Sequence, residues 1–262
     1  MSPQLHATSS NAPATALARW LDSPAGQYAM GWEARQFDAM VADLFGYHAV
    51  QVGMPAFDLL RNNRIPMRVR CAALPSDAQS GVLAEPEFLP FGANSVDLLL
   101  LPHVLEFSEL PHQVLREVER VLVPEGRVII SGFNPVSLWG ARRLVQRRSP
   151  QYPWQGQYLS MRRIRDWLKL LGFEPHAGRF GCYAPPLTQA KWLGRCQFMD
   201  RVGQRWWPVC GGVYLLHAVK RVHGMRLIQP KWRSKRASAK SLSPVAQKGQ
   251  RVVNGFRKTD EQ

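Results

Sequence analysis

Ser95-Val96-Asp97-Leu98-Leu99-Leu100-Leu101 is a run apolar from Val96 onward except at Asp97, closed by Pro102. A strand that is apolar at nearly every position buries both of its faces, as strands do inside a parallel sheet. Downstream, Val114, Leu115, Val118, Val121 and Leu122 recur at helical spacing, with Arg116, Glu117, Glu119 and Arg120 on the other side. Pro124-Glu125-Gly126 then reads as a turn into a strand over Arg127 to Ser131. Strand, helix and strand in that order make a parallel crossover, because a helix must carry the chain back across the sheet.

The alternation extends outward in both directions. Phe37, Met40, Val41 and Leu44 place a helix over Trp32 to Phe45, stopped by Gly46. The strand His48 to Val52, a turn at Gly53-Met54-Pro55, a short helix from Ala56 to Arg61 and a strand from Met67 to Ala72 follow. Towards the C-terminus, Ser160 caps a helix whose apolar face is Ile164, Trp167, Leu168 and Leu171, with Gly172 as its stop. Strands begin at Phe173 and span Gly212 to Val219. The expected fold is therefore α/β, a Rossmann-like doubly wound sheet.

With 262 residues, the chain suits one domain with appendages, at roughly 150 residues per domain. Its 45% hydrophobic content excludes a wholly disordered or fibrous chain. Cys71, Cys182, Cys196 and Cys210 form no CxxC pair, and no histidine cluster has metal-ligand spacing, so free thiols and no metal are expected. The opening residues MSPQLHATSSNAPATALA lack the basic and apolar regions of a signal peptide. No apolar run reaches the roughly 18 residues of a membrane span, and the expected location is the cytoplasm.

The net charge of +15 is concentrated at one end: from Lys220 onward, six Lys and six Arg face only Asp260 and Glu261, a net of +10. That segment includes KWRSKRASAKSLSPVAQKGQ, whose composition buries too little apolar surface to offset its ordering entropy. The expected division is an extension over residues 1–31, a folded domain over 32–227 and a disordered basic tail over 228–262. Such a tail suits nucleic acid or another polyanion, an anionic membrane surface, or solubility alone.

Three stretches taken together, Leu89-Pro90-Phe91-Gly92-Ala93-Asn94-Ser95-Val96-Asp97, His103-Val104-Leu105-Glu106 and Leu115-Arg116-Glu117-Val118-Glu119-Arg120-Val121-Leu122-Val123-Pro124-Glu125-Gly126, resemble the class I S-adenosylmethionine-dependent methyltransferases. The Ser131-Gly132-Phe133-Asn134-Pro135 run and the basic tail resemble a bacterial subgroup of them. The resemblance implies a seven-stranded methyltransferase sheet, S-adenosyl-L-methionine as cofactor and a methyl acceptor that it does not identify.

It also implies site residues. The family's glycine-rich loop after the first strand falls on Gln51-Val52-Gly53-Met54-Pro55, where one glycine remains and Gln51, Gly53 and Met54 become cofactor candidates. The acid that usually ends the second strand is missing from Arg70-Cys71-Ala72-Ala73-Leu74, although Asp77 is close. Glu85 corresponds best to the acid near the adenine, and Leu101, Pro102 and His103 stand where open α/β sheets bind ligands. His103 is either a general base at the cleft mouth or a packing histidine, and Asn134 either a substrate contact or a turn residue.

Two basic segments remain. Arg142, Arg143, Arg147 and Arg148 form a cluster that faces an anionic ligand or only solvent. Between Leu187 and Trp207 one helical stripe carries Trp192, Cys196, Met199, Gly203 and Trp206, with Lys191, Arg195, Arg201 and Arg205 elsewhere. That segment packs on the domain, covers the cleft or lies on a membrane surface. The function expected is methyl transfer; the alternative is a catalytically degenerate methyltransferase-fold binding protein acting through its basic tail.

Overall fold

A computed structural model of the chain describes residues 19–73, 81–146, 152–187, 189–196 and 198–221. The segment 228–262, Asp77, Arg147 and Arg148 lie outside them. The elements run α1 (Pro24–Val41), β1 (His48–Val52), β2 (Met67–Ala72), β3 (Val82–Leu83), β4 (Val96–Pro102), α2 (Pro111–Val121), β5 (Leu122–Phe133), α3 (Leu138–Val145), α4 (Met161–Leu170), β6 (Phe173–Gly181), α5 (Ala190–Cys196), α6 (Phe198–Trp206) and β7 (Val213–Lys220).

Seven strands form one sheet in the order β3-β2-β1-β4-β5-β7-β6. β1 to β5 are mutually parallel, while β7 runs antiparallel between β5 and β6. The burial of β4 side chains on alternating faces explains its apolar run from Leu98 to Leu101. Leu98 and Leu100 pack with Phe37, Val41 and Ile129 in one cluster. Leu99 and Leu101 enter the other with Val114, Leu115, Ile164 and Leu168. α1 therefore belongs to one face, α2 and α4 to the other, and a strand between two helical layers is apolar on both sides except at Asp97, whose carboxylate accepts from the Tyr47 and His48 amides.

Four local readings differ from the sequence expectation. α1 begins at Pro24 rather than Trp32, because the Ser23 hydroxyl accepts from Gly26 N at 3.1 Å and Pro24 follows as a pre-set first residue. Trp20, Leu21, Ala25, Ala29 and Met30 are buried in the core, so packing starts inside the stretch read as an extension. The residues from Ala56 to Arg61 form turns, not a helix; Asp58 Oδ1 takes Leu60 N at 3.1 Å and competes with a helical bond.

The turn at Pro124-Glu125-Gly126 lies within β5 as a bulge. Val96 pairs with Leu122 and Leu98 with Arg127, and Glu125 takes a φ of 64° to close the extra loop. The expected single stripe from Leu187 to Trp207 is two helices, with Leu193 and Gly203 buried and the tryptophans exposed.

Candidate functional site

Strand order reverses between β1 and β4, and a cavity of about 560 Å³ opens at the carboxyl ends of these strands and of β2. Outside such a reversal the two neighbouring loops diverge to opposite faces and leave a crevice. Its walls come from Gly53 and Met54 after β1, Ala72 and Ala73 at the end of β2, and Pro102, His103 and Val104 at the end of β4. Glu85 and Glu87 supply carboxylates, and Leu21, Phe107 and Tyr152 close one side with apolar surface.

The loop after β1 explains how one glycine suffices. Gly53 has a φ of 87°, and a Cβ there would stand 2.9 Å from Val104 Cγ2 and 3.4 Å from Pro102 O. Any side chain would therefore meet both a left-handed backbone and the neighbouring β4 loop. Met54 follows at a φ of 48° with its side chain buried in the core. Gln51 holds this pair in place: its Nε2 donates to the carbonyls of Gly53, Met54 and Phe57 at 3.2, 3.1 and 2.8 Å, and its Oε1 accepts from Leu59 N at 3.1 Å. A fully buried amide with its hydrogen-bonding capacity spent on the backbone is a brace.

At the end of β4, His103 adopts a φ of 53° and buries its ring between two carboxylates. Nε2 lies 2.7 Å from Glu33 Oε1, and Nδ1 2.9 Å from Glu106 Oε2. Each carboxylate has a second partner: Ser131 Oγ donates to Glu33 at 2.8 Å, and the Phe133 amide donates to Glu106. Burial opposes a charged imidazole, but the Coulomb attraction and hydrogen bonds of Glu33 and Glu106 outweigh it and push His103 up to about 10. Burial also pushes Glu106 up, against the pull of His103. His103 is accordingly an imidazolium at neutral pH with both N–H groups committed.

Both ring nitrogens of His103 lie against carboxylates, and an imidazolium so held has no lone pair with which to accept a proton.

Of the residues expected to contact a cofactor, Gly53, Met54, Glu85, Pro102 and His103 meet at the cavity. Gln51 and Leu101 do not line it; both are buried behind it, the first under the loop and the second in the α2–α4 core. Asn134 also lies elsewhere. Its Nδ2 donates to the carbonyls of Val136, Val209 and Gly211 at 3.2, 2.8 and 2.9 Å, and its Oδ1 accepts from Val136 N. That pattern leaves it a turn residue tying two loops together. Arg142 donates to Pro186 O, and Arg143 to Gly156 O at 2.7 Å, so both are engaged with local backbone.

The sequence reading missed Glu33, Leu21, Phe107 and Tyr152. Glu33 had one available signal, a carboxylate inside an otherwise apolar helical face; Glu106 stood three residues after His103. The Tyr152 hydroxyl is buried with no partner among the described residues, and burial followed by Glu106 raises its pKa well above the ordinary value.

Residues 65–130 match the family model described as a methyltransferase domain. The uncharacterized Escherichia coli protein YafS is 36% identical over 163 residues, 62% of this chain and 67% of that protein. An uncharacterized Methanocaldococcus jannaschii protein is 31% identical over 93 residues, 36% of this chain and 45% of its own. Among solved structures, a chain from the complex between the Haloferax volcanii Trm112 methyltransferase activator and a methyltransferase aligns over 80% of this chain and 98% of its own, at a TM-score of 0.58 and 15% identity. A SAM-dependent methyltransferase from Thermotoga maritima aligns over 79% and 99%, at 0.55 and 15%. At these identities the structural matches speak for the fold, and both extend well beyond the segment that the family model covers.

Proposed function

Because this chain belongs to the class I S-adenosylmethionine-dependent methyltransferases, we propose that the cavity at the β1/β4 reversal holds the cofactor and that the chain transfers its methyl group to an acceptor admitted beside it. The observation that carries this reading is the Gly53 turn, where the backbone reaches the cavity wall and a Cβ has no room.

The residues present fit the cofactor. Gly53 and Met54 offer backbone at the wall, Ala72 and Ala73 leave open space at the end of β2, and Glu85 is an exposed carboxylate suited to accept from hydroxyl or amino groups. No acid ends β2 itself, which leaves Glu85 and Glu87 as the acceptors along that wall. S-adenosylmethionine supplies a methyl group already activated on a sulfonium cation. The chain therefore has to orient the acceptor and exclude water, and proximity is the larger part of that task.

Leu21, Phe107 and Tyr152 give the acceptor side an apolar enclosure, and the protonated Tyr152 hydroxyl is a donor without a partner of its own. The Glu33–His103–Glu106 cluster meets the cavity at His103. It takes no proton from the acceptor, since its imidazolium is saturated.

Calorimetric titration of the purified chain with S-adenosylmethionine and S-adenosylhomocysteine tests the reading. Micromolar binding is expected, lost or weakened at least about tenfold, or roughly 1.4 kcal/mol, in Gly53→Val. A folded wild-type chain that binds neither ligand overturns it.

A further inference from the structure

The connection between β6 and β7 carries a surface that the cavity does not use. Trp192, Phe198, Trp206, Trp207 and Val209 are 52%, 63%, 70%, 60% and 59% exposed. This exposure is not a sign of incomplete packing. Leu193 is buried, and Gly203 sits so close to the Tyr183 ring that a Cβ would stand 2.3 Å from it. Asp200, the sole acid of α5 and α6, is turned inward to the Tyr28 hydroxyl and the Tyr183 amide. The two helices thus have an occupied inner side and an aromatic outer one.

Cations are interleaved with those aromatics. Lys191, Arg195, Arg201 and Arg205 are all exposed, and none forms an ion pair among the described residues. The Arg195 guanidinium lies over the Trp192 ring at 5.1 Å. Exposed indoles beside uncompensated Arg and Lys match the polar–apolar boundary of a bilayer, where the ring sits at headgroup depth and the cations reach lipid phosphates. A second copy of the same face would bring four like charges against four more, so self-association does not suit it.

Topology gives this face a direction. The chain leaves β6 at Gly181 and re-enters at Val213, which pairs with Phe133 at the carboxyl end of β5. That is the end of the sheet at which the cavity opens. Asn134 extends the surface by holding the Val136 and Val209 carbonyls to one amide, and Val136 is itself 64% exposed.

We propose that the outer face of α5 and α6 docks on an anionic lipid surface, with Trp192, Trp206 and Trp207 at headgroup depth and the cavity end of the sheet towards the membrane. No helix of the described residues is long and apolar enough to cross a bilayer, so the contact is peripheral. The inference stands on the exposed face and its charge, and does not depend on cofactor binding.

Sedimentation of the full chain with phosphatidylcholine vesicles, alone or carrying about a third phosphatidylglycerol, tests it by making surface charge the variable. Binding is expected only with the anionic lipid, and the double variant Trp206→Glu/Trp207→Glu is expected to bind at least about tenfold more weakly while keeping its wild-type circular dichroism. Arg195→Ser and Arg205→Ser are each expected to weaken binding about fivefold. Tryptophan fluorescence should be quenched by brominated lipid in the wild type and less so in Trp206→Phe/Trp207→Phe.

Three outcomes overturn the proposal. One is no binding of the wild type to anionic vesicles. Another is wild-type binding by the double glutamate variant, lost instead on removal of residues 228–262, which would assign the affinity to the basic segment. The third is a micromolar dimer in sedimentation velocity that the double variant abolishes, which would give this face to a second copy.

Discussion

Replacing His103 with glutamine removes the cation from between Glu33 and Glu106 while keeping a side chain that can donate. Both carboxylates and the imidazole are nearly inaccessible, at 0%, 3% and 3% exposure. Removing one partner of a buried ion pair costs about 3–5 kcal/mol, because the remaining charge is left uncompensated. The pKa of His103 gives a second route to the magnitude. It lies at about 10 in the folded chain, against an unfolded value near 6.5, and at about 1.4 kcal/mol per unit this sets an upper bound of about 5 kcal/mol.

The sign follows from proton binding: between those two values the folded state holds the proton and the unfolded state does not. The contribution is fully present below pH 6.5 and is lost as pH rises through about 10. Urea unfolding of the full chain at a series of pH values measures it. At pH 7 the His103→Gln variant is expected to be about 3–5 kcal/mol less stable, and the gap is expected to narrow as the wild type approaches pH 10. The variant should instead gain stability on acidification, as Glu106, whose pKa burial already pushes up, takes up a proton. A variant within about 1 kcal/mol of wild type at pH 7, or one with an unchanged alkaline slope, refutes the charged-cluster assignment.

Gln51→Leu removes the donor to three carbonyls of the β1 loop and is expected to cost about 1–3 kcal/mol in urea; its S-adenosylmethionine affinity, read by calorimetry, should fall at least about tenfold, and unchanged affinity would deny the brace a part in shaping the cavity. Asn134→Ala is expected to cost a similar 1–3 kcal/mol, approximately, with cofactor affinity unaltered, whereas a selective loss of affinity would return Asn134 to the site. His217 is held down to about 4 by burial and by the charges of Arg127 and His176, so it contributes stability above pH 6.5 that is lost as pH falls towards 4. His217→Gln should flatten that acidic slope in the same unfolding series.

The sheet was legible because its signals are local. The run from Val96 to Leu101 needs no knowledge of its neighbours to be read as doubly buried, and the α2 stripe identifies the helix that covers one side. α1 was harder to delimit: its first two turns, Pro24-Ala25-Gly26-Gln27-Tyr28-Ala29-Met30, are dominated by small residues whose burial depends on close approach rather than on side-chain size. Gly26 shows the reason, since a Cβ there would lie 2.1 Å from Trp20 O. β3 has two residues, Val82 and Leu83, too few for any periodicity to emerge.

The site divides along the same line. Gly53 and Pro102, expected from their positions after strands, and Glu85, expected from the family resemblance, all line the cavity. What Gln51, Asn134 and His103 do was not decided by position, because each is defined by partners distant in sequence: Leu59 for the first, Val209 and Gly211 for the second, Glu33 for the third. A polar residue at a strand end looks the same in sequence whether it faces ligand or spends its hydrogen bonds on the scaffold. The count of its bonds in the fold separates the two, and all three are saturated. The loop after β1 follows from this. This chain keeps one glycine, at a φ of 87° against the β4 loop, and ties the turn from below with a buried amide. Gln51 therefore holds two cavity-lining residues, Gly53 and Met54, without lining the cavity itself.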